Sequence, residues 1–267
     1  MSVEPLVDQS VSTDELVVPS SALGGLRRLN LVMGLLHAGS AAAMLVLSND
    51  FAIPITATFA DGPPGSPLPA AETLFELPLG PAVAAFLILS AIAHFVVASP
   101  LWFGRYARDL ASGINRARWV EYSLSASWMI VLIALLPGIT DVVALGALFA
   151  VNAGMILFGW MMELHNRRLA ETRWTAFVFG CVLGVVPWAL IGFQVIGAGS
   201  AVPTFVYGIF VSLFVFFNCF AVNQWLQYRQ IGRWRDYLFG ERVYVWLSIT
   251  AKSVLAWQVF ANTLIPT

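Results

Sequence analysis

The chain has 267 residues, 59% of them hydrophobic and only 11% charged, with a formal charge of -1. Twenty-nine charged side chains cannot clothe a soluble domain of this size, so the composition points to lipid as the solvent and excludes a soluble globule. A balance this close to neutral also excludes nucleic-acid binding, which calls for clustered excess Lys and Arg.

Residues 1-25 hold Glu4, Asp8, Asp14 and Glu15 and no cation, and read as a polar cytoplasmic tail rather than a cleavable leader. Residues 26-267 read as one membrane domain. Its apolar windows run from Leu26 to Ser48, Pro81 to Phe103, Arg118 to Pro137, Ile139 to Leu164, Arg173 to Gly197, Pro203 to Tyr228 and Val243 to Leu264. Each matches the roughly 20 residues that a helix needs to cross a bilayer, and none alternates as the roughly 10-residue strands of a membrane barrel do. The expected fold is an all-α membrane protein, a seven-transmembrane-helix bundle. The first connection, Asn49 to Gly80, is long for a bundle. Within it Ala52 to Phe59 alternates in part and leads to Asp61-Gly-Pro-Pro-Gly65, a turn signal, which predicts a short external β-hairpin. On the fourth window Gly146, Ala150 and Gly154 form a row of small residues that suits either a dimer face or packing within the chain. Cys181 and Cys219 lie in apolar windows with no partner spacing, so neither a disulfide nor a metal site is indicated.

Thirteen of the fourteen cations lie near the N-terminus or in alternate connections: Arg27, Arg28, Arg105, Arg108, Arg116, Arg118, Arg167, Arg168, Arg173, Arg229, Arg233, Arg235 and Arg242. The positive-inside rule then puts the N-terminus in the cytoplasm and the C-terminus outside, across the cell membrane.

The fourteenth cation is Lys252, the chain's sole lysine, ten residues and about 15 Å into the last predicted helix. A charge at that depth costs roughly 2.5-3.5 kcal/mol on insertion scales, so it needs a partner, a wet cavity or chemical modification. A primary amine condenses with an aldehyde to a Schiff base, which keeps a titratable proton on nitrogen and calls for an anion. Glu121 is the acid best set in an apolar window. At about 4 Å and an effective dielectric near 20 its attraction for the cation is roughly 4 kcal/mol. The alternative partner for Glu121 is Arg118, three residues earlier on the same helix. Ser248 stands one turn before Lys252, Ser90 and His94 share a face of the second helix, and His37 lies in the first. Such a polar cluster offers a place for a proton leaving the nitrogen, although buried neutral histidines bonded through water would look the same in sequence.

Three stretches, Arg118-Trp-Val-Glu-Tyr-Ser-Leu-Ser, Val151-Asn-Ala-Gly-Met-Ile-Leu-Phe-Gly-Trp160 and Ser248-Ile-Thr-Ala-Lys-Ser-Val-Leu-Ala-Trp257, resemble the heliorhodopsins. So do Asn49-Asp-Phe-Ala, Gly62-Pro-Pro-Gly65 and Thr263-Leu-Ile-Pro266. The likeness runs from about Leu29 to the end. It implies all-trans retinal on Lys252, Glu121 as its sole counterion, His37 and His94 in a polar cavity on the cytoplasmic side, an inverted topology and homodimers. The pocket residues it implies are Trp119, Tyr122, Ser125, Asn152, Met155, Ile156, Gly159, Phe217 and Gln224, each of which alone would pass for plain bundle core.

The function expected is that of a light-absorbing sensory photoreceptor, not an enzyme and not an ion pump. Outward proton pumps of the microbial-rhodopsin type resemble one another in carrying a second carboxylate about three turns along the third helix and an aspartate one turn before the lysine. Here Leu132 and Ser248 hold those positions. The alternatives are a light-gated ion or proton channel and a light-dependent regulator of a cytoplasmic enzyme, the latter working with a signalling partner at the arginine-rich loops.

Overall fold

The computed structural model describes residues 20-167, 169 and 171-265. The polar character expected of residues 1-19 lies outside that range. Among the described residues there are eight α-helices and one hairpin: α1 (Ser20–Leu47), β1 (Ala52–Ala57), β2 (Glu72–Pro78), α2 (Leu79–Ala98), α3 (Phe103–Ala111), α4 (Arg116–Leu135), α5 (Val142–Asn166), α6 (Thr175–Ala198), α7 (Thr204–Tyr228) and α8 (Tyr237–Val259), which widens into a π-helical turn at Phe260–Leu264.

Six helices, α1, α2, α5, α6, α7 and α8, are long and apolar enough to cross a membrane. The seventh crossing is α4. Its 20 residues equal α2 in length, but Arg118, Glu121, Ser123, Ser125 and Ser127 make it less apolar. It tolerates them because its polar face meets protein, not lipid: the three serines and the run Met129 to Leu135 are all buried, while apolar Val120 and Leu124 are exposed. Side chains of α4 pack with Phe86 and Leu87 of α2, Leu145 and Leu148 of α5 and Leu255 and Val259 of α8 in one continuous apolar core.

Helix ends follow from local chemistry. Asn115 accepts from Arg118 N at 3.0 Å, Asp141 from Ala144 N at 2.9 Å and Asp236 from Leu238 N at 2.9 Å, each satisfying an orphan amide at the start of α4, α5 or α8. Gly113 and Gly138, at φ of +70° and +98°, turn the chain after α3 and α4 in the left-handed region that favours glycine. Apolar windows miss polar first turns: α1 starts six residues before Leu26 and α8 six residues before Val243, because those turns stand at the interface rather than in hydrocarbon. The window from Pro81 to Phe103 also hid a break after Ala98, beyond which α3, nine residues long and so about 13 Å, is too short to cross. It lies against the bundle by Tyr106 and Leu110, which pack with Leu26, Val97 and Leu238.

The strands pair antiparallel, from Ala52 opposite Pro78 to Ala57 opposite Glu72, with an irregularity between Ile55 and Thr56. Ile55 and Ala57 point into the core, and Thr56 N donates to Thr140 O at 2.9 Å, so the hairpin caps the end of the bundle away from the arginines. Asn49 Nδ2 ties its start to Thr263 O at 3.1 Å. In the small-residue row, Gly146 and Ala150 are exposed, whereas Gly154 faces Leu183 of α6.

Candidate functional site

Lys252 lies 15 residues beyond the start of α8, about 22 Å by helical rise and near the middle of the last crossing, deeper than the late-starting window implied. Its side chain is 3% exposed and Nζ donates to Glu121 Oε1 at 2.6 Å, across α8 and α4. Ser248 Oγ, one turn earlier on the same face, stands 3.1 Å from Nζ, and the Tyr122 ring centre lies 5.2 Å away. From α2, the Ser90 hydroxyl donates to the same Glu121 oxygen at 2.6 Å. Glu121 is thus held by an amine and a hydroxyl, and charge-assisted bonds of this length are about twice as strong as neutral ones. Ser125, one turn beyond Glu121, is fully buried with its hydroxyl unpaired among the described residues.

The histidines lie beside this pair. His94 Nδ1 is 2.7 Å from Asn30 Oδ1, and the His37 ring stacks on His94 with centroids 5.5 Å apart. His37 is fully buried, and both its nitrogens lack a partner among the described residues. Neither imidazole is hydrogen-bonded to Glu121. His94 and Glu121 both line a cavity of about 50 Å³, with Asn30, Tyr106, Asn115, Arg118 and Glu241 on its other walls. That volume has room for about three waters. Burial pushes the Tyr106 hydroxyl above the ordinary tyrosine pKa, so it stays protonated.

On the other side of Lys252 opens a larger cavity, about 120 Å³, with almost wholly apolar walls. Trp119, Tyr122, Met155, Ile156, Gly159, Phe217, Gln224 and Ser248 line it together with Lys252. Asn152 and Ser125 do not: Asn152 instead donates to Ser127 Oγ at 3.1 Å and ties α5 to α4. Sequence reasoning missed the other wall residues, Phe177, Gly180, Phe220 and Tyr244 among them. A side chain at Gly159 is impossible without movement, since a Cβ there would fall 2.5 Å from the Trp119 ring, so the glycine lets the indole lie against α5. An apolar cavity with one amine in its wall, paired to one carboxylate, fits an apolar aldehyde such as retinal, with the amine as the point of attachment.

Arg118 is not the partner of Glu121. It is buried and pairs with both Glu163 of α5 and Glu241 of α8. Asn115 N donates to Glu163 at 2.9 Å, Asn115 Nδ2 to Glu241 at 2.7 Å and Trp119 Nε1 to Glu163 at 2.6 Å. This cluster escaped the sequence reading because both acids fall at helix ends, where an exposed carboxylate is the ordinary outcome; the one available signal was Arg118 itself, set in an apolar window. Among the described residues no group of three or more His, Cys, Asp or Glu side chains is arranged to hold a metal ion.

The fold is similar to the crystal structure of a light-driven proton pump LR (Mac) from Leptosphaeria maculans, with a TM-score of 0.63 over 92% of this chain and 97% of that one. Identity is 13%, so the likeness speaks for the fold alone. No curated protein matches the sequence. The heliorhodopsin family model matches residues 26-264, which takes in α1 from Leu26, the later helices, the hairpin, Glu121 and Lys252. The chain belongs to the heliorhodopsin family.

Proposed function

We propose that this protein is a sensory photoreceptor that carries all-trans retinal on Lys252, with Glu121 as counterion, and that it moves no net charge across the membrane. Family membership and the rhodopsin-like fold support the coarser statement, a retinal-based light-sensing protein that crosses the membrane several times. Bound through Nζ, retinal supplies a visible absorption band and a light-driven isomerisation. The protein's own residues hold the charge and guide the proton. Glu121 and Ser248 hold the proton on Nζ, through contacts of 2.6 and 3.1 Å.

The observation that carries the non-pumping part is the one-sidedness of the polar groups. Toward the arginine-rich end lie His94, Asn30, Tyr106 and the smaller cavity. Toward the hairpin the space is filled by the apolar core of Met129 to Leu135, Phe86, Leu255 and Val259. The polar pairs in that half, Ser127 with Asn152 and Ser212 with Gln258, are not hydrogen-bonded to Glu121. Ser125, one turn from Glu121 on that side, is followed along α4 by Ser127 and then the apolar run from Met129, so a proton leaving Nζ passes by way of Glu121 toward the His94 and His37 side, where the smaller cavity lies, and returns the same way. Displacement of the helices is the output, delivered at the arginine-rich ends to a cytoplasmic signalling partner. The experiment is to illuminate cells or sealed vesicles expressing the protein with added retinal. The expected result is no sustained pH change or current, whereas a steady light-driven pH change or current would identify a pump or channel.

A further inference from the structure

Trp119 belongs both to the wall of the chromophore cavity and to the buried charge cluster, and we propose that Glu163 is its positioning residue, fixing the indole against Gly159 and so setting the cavity wall along which a chromophore on Lys252 absorbs and moves. The inference rests on the retinal reading above. The indole is restrained on three sides. Its Nε1–H donates to Glu163 Oε2 at 2.6 Å. Its six-membered ring lies against the bare backbone of Gly159, which is four residues before Glu163 on the same face of α5, so one helix presents both the seat and the acceptor. The Arg118 guanidinium stands 4.4 Å from the ring centre and also 3.8 Å from that of Tyr244, another wall residue. Gln224 donates to Gly159 O at 3.1 Å and holds that stretch of α5 in place. The freedom left to the ring is motion into the cavity.

A neutral indole N–H needs only one acceptor, and a backbone carbonyl would serve. Glu163 offers more, because its other oxygen is committed to Arg118 and its Oε2 also accepts from Asn115 N at 2.9 Å. The carboxyl group is thereby fixed in the cluster before it meets the indole. Through Arg118 and Glu241 the same carboxylate joins the wall to α4 and α8. A shift of the ring therefore acts on three helices at the arginine-rich end.

The test compares full-length wild type, Trp119→Phe, Glu163→Gln and the double variant, each purified with all-trans retinal, by visible absorption, flash-induced recovery and ultraviolet resonance Raman of the indole N–H. Both single variants should shift the visible maximum and alter the recovery time, and the double variant should match Trp119→Phe, since the two residues act as one unit. The Raman difference between wild type and Trp119→Phe should show a strongly hydrogen-bonded indole, weakened in Glu163→Gln. A wild-type spectrum and recovery in Glu163→Gln, or effects that simply add in the double variant, would overturn the proposal. Should Glu163→Gln fail to fold, the wild-type minus Trp119→Phe Raman difference still decides, a weakly bonded indole counting against the clamp. A wild type that forms no pigment would instead reject the retinal reading, and the Raman comparison on the apoprotein would judge the clamp separately.

Discussion

Two opposite charges buried 2.6 Å apart are each the reason the other is tolerated. With retinal on Nζ, the Glu121 carboxylate pins positive charge near the nitrogen; taking it away lets that charge spread along the polyene and lowers the excitation energy. Glu121→Gln is accordingly expected to shift the visible band to the red at neutral pH. Acidification should do the same to the wild type as Glu121 takes up a proton, and should leave Glu121→Gln without that step. Spectra recorded across a pH titration check both, and a blue or absent shift in Glu121→Gln would assign the counterion elsewhere. Lys252 and Glu121 were legible in the sequence because a lone charge in an apolar run is conspicuous. The partners of Arg118 were not: which acid a buried arginine meets depends on how α4, α5 and α8 are set side by side, and the i-3 spacing to Glu121 pointed to a neighbour that it does not use.

At the scale of elements, α4 is the organising piece. It brings Glu121 to Lys252, Trp119 to the cavity and Arg118 to the acids of two other helices. Arg118→Ala would leave two buried carboxylates without their cation, and removing one partner of such a site costs about 3-5 kcal/mol. Its thermal denaturation, followed through loss of the visible band, should fall well below that of the wild type; an unchanged midpoint would mean that Glu163 and Glu241 find other partners. Periodicity and hydropathy revealed the long helices and placed the hairpin in the first connection. They did not reveal α3, since Leu101, Trp102 and Phe103 extend the apolar run past the break that Ser99 and Pro100 introduce. Nor did they give the extent of the hairpin: the residues from Asp61 to Gly65 sit in a connection between strands that runs from Thr58 to Ala71, much longer than a tight turn.

For the molecule as a whole, alternation of the crossings gathers the described arginines at one end and leaves the hairpin at the other. From that asymmetry the positive-inside rule predicts an orientation, which we propose: N-terminus cytoplasmic and C-terminus outside. A protease-sensitive tag at the C-terminus should be cut on intact cells and one at the N-terminus should be protected, with the reverse result contradicting the rule. We propose homodimers as well, which the family resemblance implies. The exposed Gly146 and Ala150 on α5 leave space where a second copy can approach closely, while Gly154 belongs to packing within the chain.

The claim on which the rest depends is that the Lys252 amine is where retinal is joined. Purified wild type and Lys252→Ala, each offered all-trans retinal in the dark, test it through the visible absorption spectrum. The account predicts a visible band in the wild type and none in Lys252→Ala; a colourless wild type, or an undiminished band in the variant, would contradict it.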